Sequence, residues 1–298
     1  MAHKAKKLMV AIPHTGDYIT RAFTQNLVQF QDFHLRHPEV LSRFGITQMD
    51  IRWGALQPLD GLRDSFIQDA IIMGFEWIWW LDTDQVYPFL FDEKNGLVMG
   101  TCLEQLLGRG KNIIAPLTFK KGMPHETTAG ILLEHKHQYH RNLCAQEIDE
   151  ARDKDGLLEV DITGVGGLLT NVNTLRQLPP PWFEYGRQYT TGKLGISEDV
   201  PFCHKVRHLG EKIWLDTTIV SGHIRTEVVE EGHYRRGRAT SPLEIDIKQK
   251  SFALIMPFLF DRKEDWQAGA ALLSGIMPFL FDNVNETYPI TGKEVANG

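Results

Sequence analysis

Short apolar runs and helix-periodic segments alternate through roughly the first 120 residues of this chain, and few architectures accept that order. Leu8-Met9-Val10-Ala11-Ile12-Pro13 reads as a buried first strand that ends in the polar turn His14-Thr15-Gly16-Asp17. A helix is predicted over Ile19–Phe33, where Phe23, Leu27 and Phe30 recur at helical spacing. A second strand is predicted over Gly45–Trp53, then a helix over Arg63–Met73 with Gly74 as its C-cap. Trp77–Leu81 reads as a strand, Leu97–Leu107 as a helix and Asn112–Leu117 as a strand. This succession predicts an α/β fold built on a mostly parallel sheet with helices on both faces. Ligands bind such sheets beyond the carboxyl ends of their strands. His14–Asp17, the segment after Trp53, and Asp82–Asp84 all fall at such ends.

Asp82-Thr83-Asp84 follows directly on the apolar run Trp77-Ile78-Trp79-Trp80-Leu81. Side chains alternate along a strand, but where the backbone turns at its end both acids can converge on one point. Hard cations such as Mg²⁺ and Mn²⁺ take oxygen ligands, and they commonly neutralise phosphate groups. An acidic strand end also serves as an ordinary solvated turn, so the surrounding residues decide its meaning.

Farther along, Lys120–Asp155 is polar and histidine-rich and reads as a loop-rich excursion with one helix. Leu157–Ile162 is predicted as a strand, and Gly164-Val165-Gly166-Gly167 precedes Leu168-Leu169-Thr170. Pro179-Pro180-Pro181-Trp182-Phe183 reads as a rigid, aromatic-tipped loop. A helix is predicted over Glu198–Leu209, a strand over Lys212–Asp216 and a short closing strand over Val220–Ile224. The last quarter departs from this pattern. It repeats Ile255-Met256-Pro257-Phe258-Leu259-Phe260-Asp261 at Ile276-Met277-Pro278-Phe279-Leu280-Phe281-Asp282, with an echo at Pro88–Asp92. The copies are too few and too unevenly placed for a solenoid. The reading is a domain over 1–225 and an extension over 226–298 that packs on the domain or on a partner, including a second copy of the chain.

A net charge of −6 argues against a protein that coats nucleic acid by bulk attraction, although it leaves room for a local basic groove. Cys102, Cys144 and Cys203 are odd in number and lack metal-ligand spacing, which points to reduced thiols. The apolar run after the basic Met1–Lys7 stops at Pro13, too short for a signal-peptide core. No apolar run approaches the ~18 residues of a membrane span. A cytoplasmic location is expected.

Several of these segments together resemble the GT-A fold glycosyltransferases, in particular the family 2-like nucleotide-sugar enzymes of bacteria and their phages. Val10–Gly16 looks like the opening strand of that Rossmann-like fold, whose end contacts the nucleotide. Gly61-Leu62-Arg63-Asp64 is similar to the family's Arg-Asn motif, with Asp64 in place of Asn. Leu81-Asp82-Thr83-Asp84 matches its DxD motif, and Gly164–Leu169 resembles the floor of its acceptor site. Ser197-Glu198-Asp199, Phe202-Cys203 and Gly210–Asp216 resemble its Glu-Asp block and the strand that follows, and Gly222-His223-Ile224 its closing histidine motif. The order holds over Leu8–Ile224, and the C-terminal extension lies outside it.

The resemblance implies roles. Pro13, His14, Thr15, Gly16, Arg63, Asp82 and Thr83 would contact a nucleotide-sugar donor, UDP-linked. Asp84 and His223 would hold Mn²⁺ or Mg²⁺, with Asp82 on the ribose or a metal-bound water. An imidazole ligand suits Mn²⁺ better than Mg²⁺. Asp199, at a helix start whose dipole favours its ionised form, would be the base of an inverting transfer. Gly166, Gly167, Trp182 and Glu198 would line the acceptor site, Trp182 and Phe183 as a stacking platform.

Plainer readings stand beside these. Glu198 and Asp199 also suit a simple helix cap, Arg63 a surface salt bridge, and Trp182 and Phe183 core packing. His135, His137 and His140 form no complete zinc tetrad and read as surface. The acceptor implied is a glycan or a hydroxymethylated pyrimidine in phage DNA. For the latter, Lys120–Arg141 and the basic cluster Arg235, Arg236 and Arg238 would face phosphates. A nucleotidyltransferase on a related sheet is the alternative enzyme, although His14–Asp17 is poor in the glycines and cations a triphosphate needs. A non-catalytic nucleotide-sugar-binding module is the alternative from another class, but it has no use for a base.

Overall fold

A computed structural model of the 298-residue chain describes residues 5–14, 19–55, 58–92, 97–122, 124–133, 136–187, 194–224, 228–229 and 231. The elements in the first half are β1 (Lys6–His14), α1 (Arg21–Arg36), α2 (Glu39–Ser42), β2 (Ile46–Ala55), α3 (Leu59–Met73) and β3 (Trp77–Trp80). After them come β4 (Gln85–Val86), β5 (Phe89–Asp92), β6 (Leu97–Thr101), α4 (Cys102–Gly108) and β7 (Ile113–Thr118). The second half adds β8 (Gly130–Leu133), β9 (Lys136–Asn142), α5 (Ala145–Arg152), β10 (Leu157–Val160), β11 (Leu169–Asn171) and α6 (Val172–Leu175). Last come β12 (Gly186–Arg187), β13 (Leu194–Ile196), α7 (Asp199–His208), β14 (Ile213–Ile224) and β15 (Val228–Val229).

The central sheet runs β10-β14-β7-β11-β3-β1-β2, with β4 and β15 on the far part of β14. Strands β2, β1, β3, β7 and β14 point one way, and β11 and β10 run against them. The fold is therefore mixed α/β on a mostly parallel sheet with flanking helices, as the alternation predicts. Alternate side chains of β3 show why both faces need cover. Ile78 and Trp80 join a core with Phe66, Ile67 and Ala70 of α3 and Phe202 and Val206 of α7. Trp79, between them, turns the other way and meets Phe30 of α1 with ring centroids 4.9 Å apart.

Local signals set most boundaries. Thr20 caps α1, its hydroxyl accepting from Phe23 N–H at 3.3 Å. Gly74 ends α3 in the left-handed region at φ 73°, as its place after the apolar stripe predicts. Three expectations need correction. Leu97–Thr101 is a strand rather than helix, because Thr101 and Glu104 form a capping box that starts α4 only at Cys102. The polar stretch after Lys120 contains the antiparallel hairpin β8–β9 as well as α5. Lys212–Asp216 and Val220–Ile224 belong to one strand, β14, whose pairing with β7 jumps from Asp216↔Pro116 to Val220↔Leu117. Pro116 offers no N–H to a ladder, and the irregularity in β14 lies opposite it.

The chain divides into two compact units, Met1–Leu90 with Gly100–Leu243, and Phe91–Met99 with Glu244–Gly298. The central sheet belongs to the first. Beyond Ile224 a short strand, β15, doubles back on β14, and Glu231 pairs with Arg152 at 2.6 Å. The repeated Ile255–Asp261 and Ile276–Asp282 segments and the Arg235–Arg238 cluster lie outside the described residues. No helix among the described residues is long and apolar enough to cross a membrane.

Candidate functional site

The Asp82-Thr83-Asp84 turn leaves the carboxyl end of β3 and is fastened at each residue. Asp82 N–H donates to the buried Tyr87 hydroxyl at 2.9 Å. The Thr83 carbonyl accepts from the Thr20 hydroxyl at 3.1 Å, and the Asp84 carbonyl from Ile224 N–H at 2.6 Å. The turn is thus tied to α1 and β14, and its two carboxylates are aimed rather than loose.

Helix α3 begins at Leu59, a turn earlier than the expected start, so Arg63 lies in its second turn and is buried. Arg63 is 2% exposed, so the surface salt bridge offered by its sequence is excluded. Its Nη1 donates to Glu198 Oε1 at 2.5 Å and Asp199 Oδ1 at 2.6 Å, and its Nη2 to Asp82 Oδ1 at 3.2 Å. The Phe183 ring lies 5.4 Å from the guanidinium carbon. Asp199 opens α7 at its first turn, and Glu198, at the N-cap position, makes no side-chain capping bond. Both acids face the arginine instead.

A single guanidinium here serves three carboxylates. Burial, joined by the charges of Glu198 and Asp82, pushes the Asp199 carboxyl up to about 7 against the opposing pull of Arg63. Burial also raises Asp82, with Arg63 opposing and Asp84 adding to the rise.

Asp84 behaves oppositely. Burial would raise it, but the facing His223 ring and the Lys121 ammonium overcome that and hold it down at about 2. His223 Nδ1 lies 2.6 Å from the Phe119 carbonyl, which can only accept, so Nδ1 carries the proton. Its Nε2 then faces Asp84 Oδ1 at 3.7 Å. Two donors bound to one small divalent cation at about 2.0–2.2 Å stand roughly 3–4 Å apart, so this pair fits such an ion. The carbonyl bond is the kind of support that orients a ligating histidine. Among the described residues no group of three or more His, Cys, Asp or Glu side chains could by itself hold a metal, so any remaining ligands would come from elsewhere.

The Gly166-Gly167 turn lies against Asp82. Gly167 takes φ 83°, donates to the Trp80 carbonyl at 2.7 Å and accepts from Trp79 Nε1 at 3.0 Å. A Cβ on Gly166 would stand 2.7 Å from Asp82 Oδ2 and overlap the Gln85 amide. Glycine is required there for the backbone to approach Asp82.

Of the residues singled out in the sequence, the fold brings Arg63, Asp82, Glu198 and Asp199 into one network, sets Asp84 beside His223, and lays Gly166 and Gly167 against Asp82. Pro13 and His14 end β1, where His14 is in register with Ala55. Thr15 and Gly16 lie outside the described residues, as do His135 and the side chain of His137. Trp182 and Phe183 are not a platform: they are 6% and 1% exposed, and Phe183 stacks on Phe202 at 4.5 Å. Trp182 donates to the Leu175 carbonyl at 2.8 Å, and Asp64 accepts Phe183 N–H at 2.8 Å, so the loop is pinned inward. Lys121 and Tyr87 were missed. The pair Lys120-Lys121 follows the run Ile113–Phe119 at a strand end, and that position was the available signal for Lys121.

No protein-family model matches the sequence, and a search of curated proteins finds no match. Among solved structures, A197 from STIV is 13% identical at a TM-score of 0.43, covering 74% of this chain and 86% of its own. UDP-glucose pyrophosphorylase complexed with UDP-glucose is 10% identical at 0.38, covering 79% and 98%. GalNAc-T7 with UDP, GalNAc and Mn²⁺ is 12% identical at 0.40, covering 99% and 60%. Overlaps this loose carry no argument, and the chain's own geometry has to supply one.

Proposed function

We propose that this chain is a metal-dependent glycosyltransferase that moves a sugar from a nucleotide sugar, UDP-linked, to an acceptor hydroxyl with inversion. The observation that supports it most is the Arg63 bridge, which joins Asp82 at the β3 end to Glu198 and Asp199 at the start of α7. It puts a carboxyl raised to about 7 beside an acidic turn that faces the strand ends, where α/β sheets bind ligands.

In this reading Arg63 holds Asp199 Oδ1, and Oδ2 is the oxygen that takes the acceptor's proton. The acceptor oxygen forms its bond to the anomeric carbon as the bond from that carbon to the diphosphate breaks. The nucleoside diphosphate leaves with the bonding electrons. Asp84 and His223 would hold the cation, and its chemistry when bound is charge stabilisation of the departing diphosphate. Asp82, held by Arg63 at 3.2 Å, would meet the ribose. Glu198 and the Gly166-Gly167 turn would border the acceptor, whereas Trp182 drops out of that set because it is buried.

The test is to incubate the protein with nucleotide sugars and Mn²⁺ and identify the products. Free nucleoside diphosphate and sugar, or a glycosylated acceptor, supports the reading. Release or uptake of pyrophosphate would favour nucleotidyl transfer instead.

A further inference from the structure

Lys121 has no role in the reading above, yet its ammonium sits on Asp84 Oδ2 while His223 faces Oδ1. It stands beyond the carboxyl end of β7, the strand paired in parallel with β14, which carries His223. The lysine side chain is 38% exposed and sits on a bend outside regular structure, so its four-carbon stem has room to turn. Arg63 cannot substitute for it, because that guanidinium is already divided among Asp82, Glu198 and Asp199.

We propose that Lys121 is the resident counter-cation of Asp84, that it yields that carboxylate to an incoming divalent metal, and that it then turns to the donor's diphosphate. The inference rests on the nucleotide-sugar reading and extends it to a residue outside the resemblance. An ammonium in contact with one carboxylate oxygen and a divalent cation on the other would repel strongly at that range. Exchange removes the repulsion and keeps Asp84 paired in both states. The diphosphate that the metal brings offers the displaced ammonium an anion with which to form charge-assisted hydrogen bonds. Metal and donor are thereby coupled. Lys121 opposes metal binding alone and favours the nucleotide once the metal is in place.

Calorimetric titration of the full chain tests this, with Mn²⁺ alone as one probe and UDP at saturating Mn²⁺ as the other. Lys121→Met removes the charge and keeps the length of the stem. It should bind Mn²⁺ about tenfold more tightly than the parent, and UDP about tenfold more weakly, on the scale of one partly screened charge. Unchanged or weaker Mn²⁺ binding in the variant overturns the exchange while the parent's own Mn²⁺ and UDP binding leaves the glycosyltransferase reading standing. Unchanged UDP binding overturns the turn toward the diphosphate. Absence of Mn²⁺ binding in both proteins overturns the inference and that reading together. Lys121→Gln, checked for folding by circular dichroism, should give the same pattern.

Discussion

Arg63 and Asp199 stand 136 positions apart in the chain and meet at 2.6 Å, joining the second turn of α3 to the first residue of α7. The contact is both a structural clasp and a tuning device. The same guanidinium reaches Asp82 at 3.2 Å, so the carboxyl proposed as base and the acidic turn are set by one cation.

Removing that cation should be costly. Arg63→Met leaves Asp82, Glu198 and Asp199 buried together without their common partner. Loss of about 3–5 kcal/mol is expected at neutral pH, read as a lowered denaturant midpoint with unchanged slope. Arg63→Lys should recover only part of it, because one ammonium cannot span three acids in the geometry of a planar fork.

Asp199 ties activity to pH. A base must be ionised, so kcat should rise about tenfold per pH unit below about 7 and level above it. Asp199→Asn should cut transfer by about 10²–10⁴-fold while donor binding is retained. Loss of donor binding in that variant would contradict the assignment.

The same carboxyl makes a stability prediction of opposite sense. Its pKa is raised in the fold to about 7 from 3.8, chiefly by burial. Its contribution is fully present below about pH 4 and is lost as pH rises through about 7. Asp199→Asn escapes that loss, so it should be more stable than the parent above pH 7, on the order of a few kcal/mol. Thermal melts across pH 5–8 check this, and curves that stay parallel would count against it.

Gly166→Ala should damage the site without touching a charged group. Its Cβ would press on Asp82 Oδ2 at 2.7 Å and on the Gln85 amide, costing about 1–3 kcal/mol and weakening donor binding. The melting temperature and UDP affinity together measure it.

Much of this site was legible because its residues follow apolar runs. Trp77–Leu81 could only be a buried strand, and the acids after it therefore had to lie at a sheet end. Glu198 and Asp199 left two readings open, cap or site; both meet Arg63, and Glu198 makes no side-chain capping bond. Trp182 and Phe183 read equally as a platform or a core pair, since one aromatic signal serves both. Their burial depends on Phe202 and Trp80, which are distant in sequence. In Leu97–Leu107 a short apolar run fits strand or helix by periodicity alone, and the capping box at Thr101 and Glu104 carries the boundary. In the sequence Lys121 reads only as part of the segment Lys120–Arg141, because a lysine after a strand is ordinarily solvated and its partner Asp84 lies 37 positions away.

The most direct test of the central claim is calorimetric titration of nucleotide sugars into the full chain, with and without Mn²⁺, alongside Asp84→Asn. The expected result is binding of a UDP-sugar that Mn²⁺ strengthens, and loss of that metal response in the variant. Failure of any nucleotide sugar to bind, with or without Mn²⁺, would contradict it.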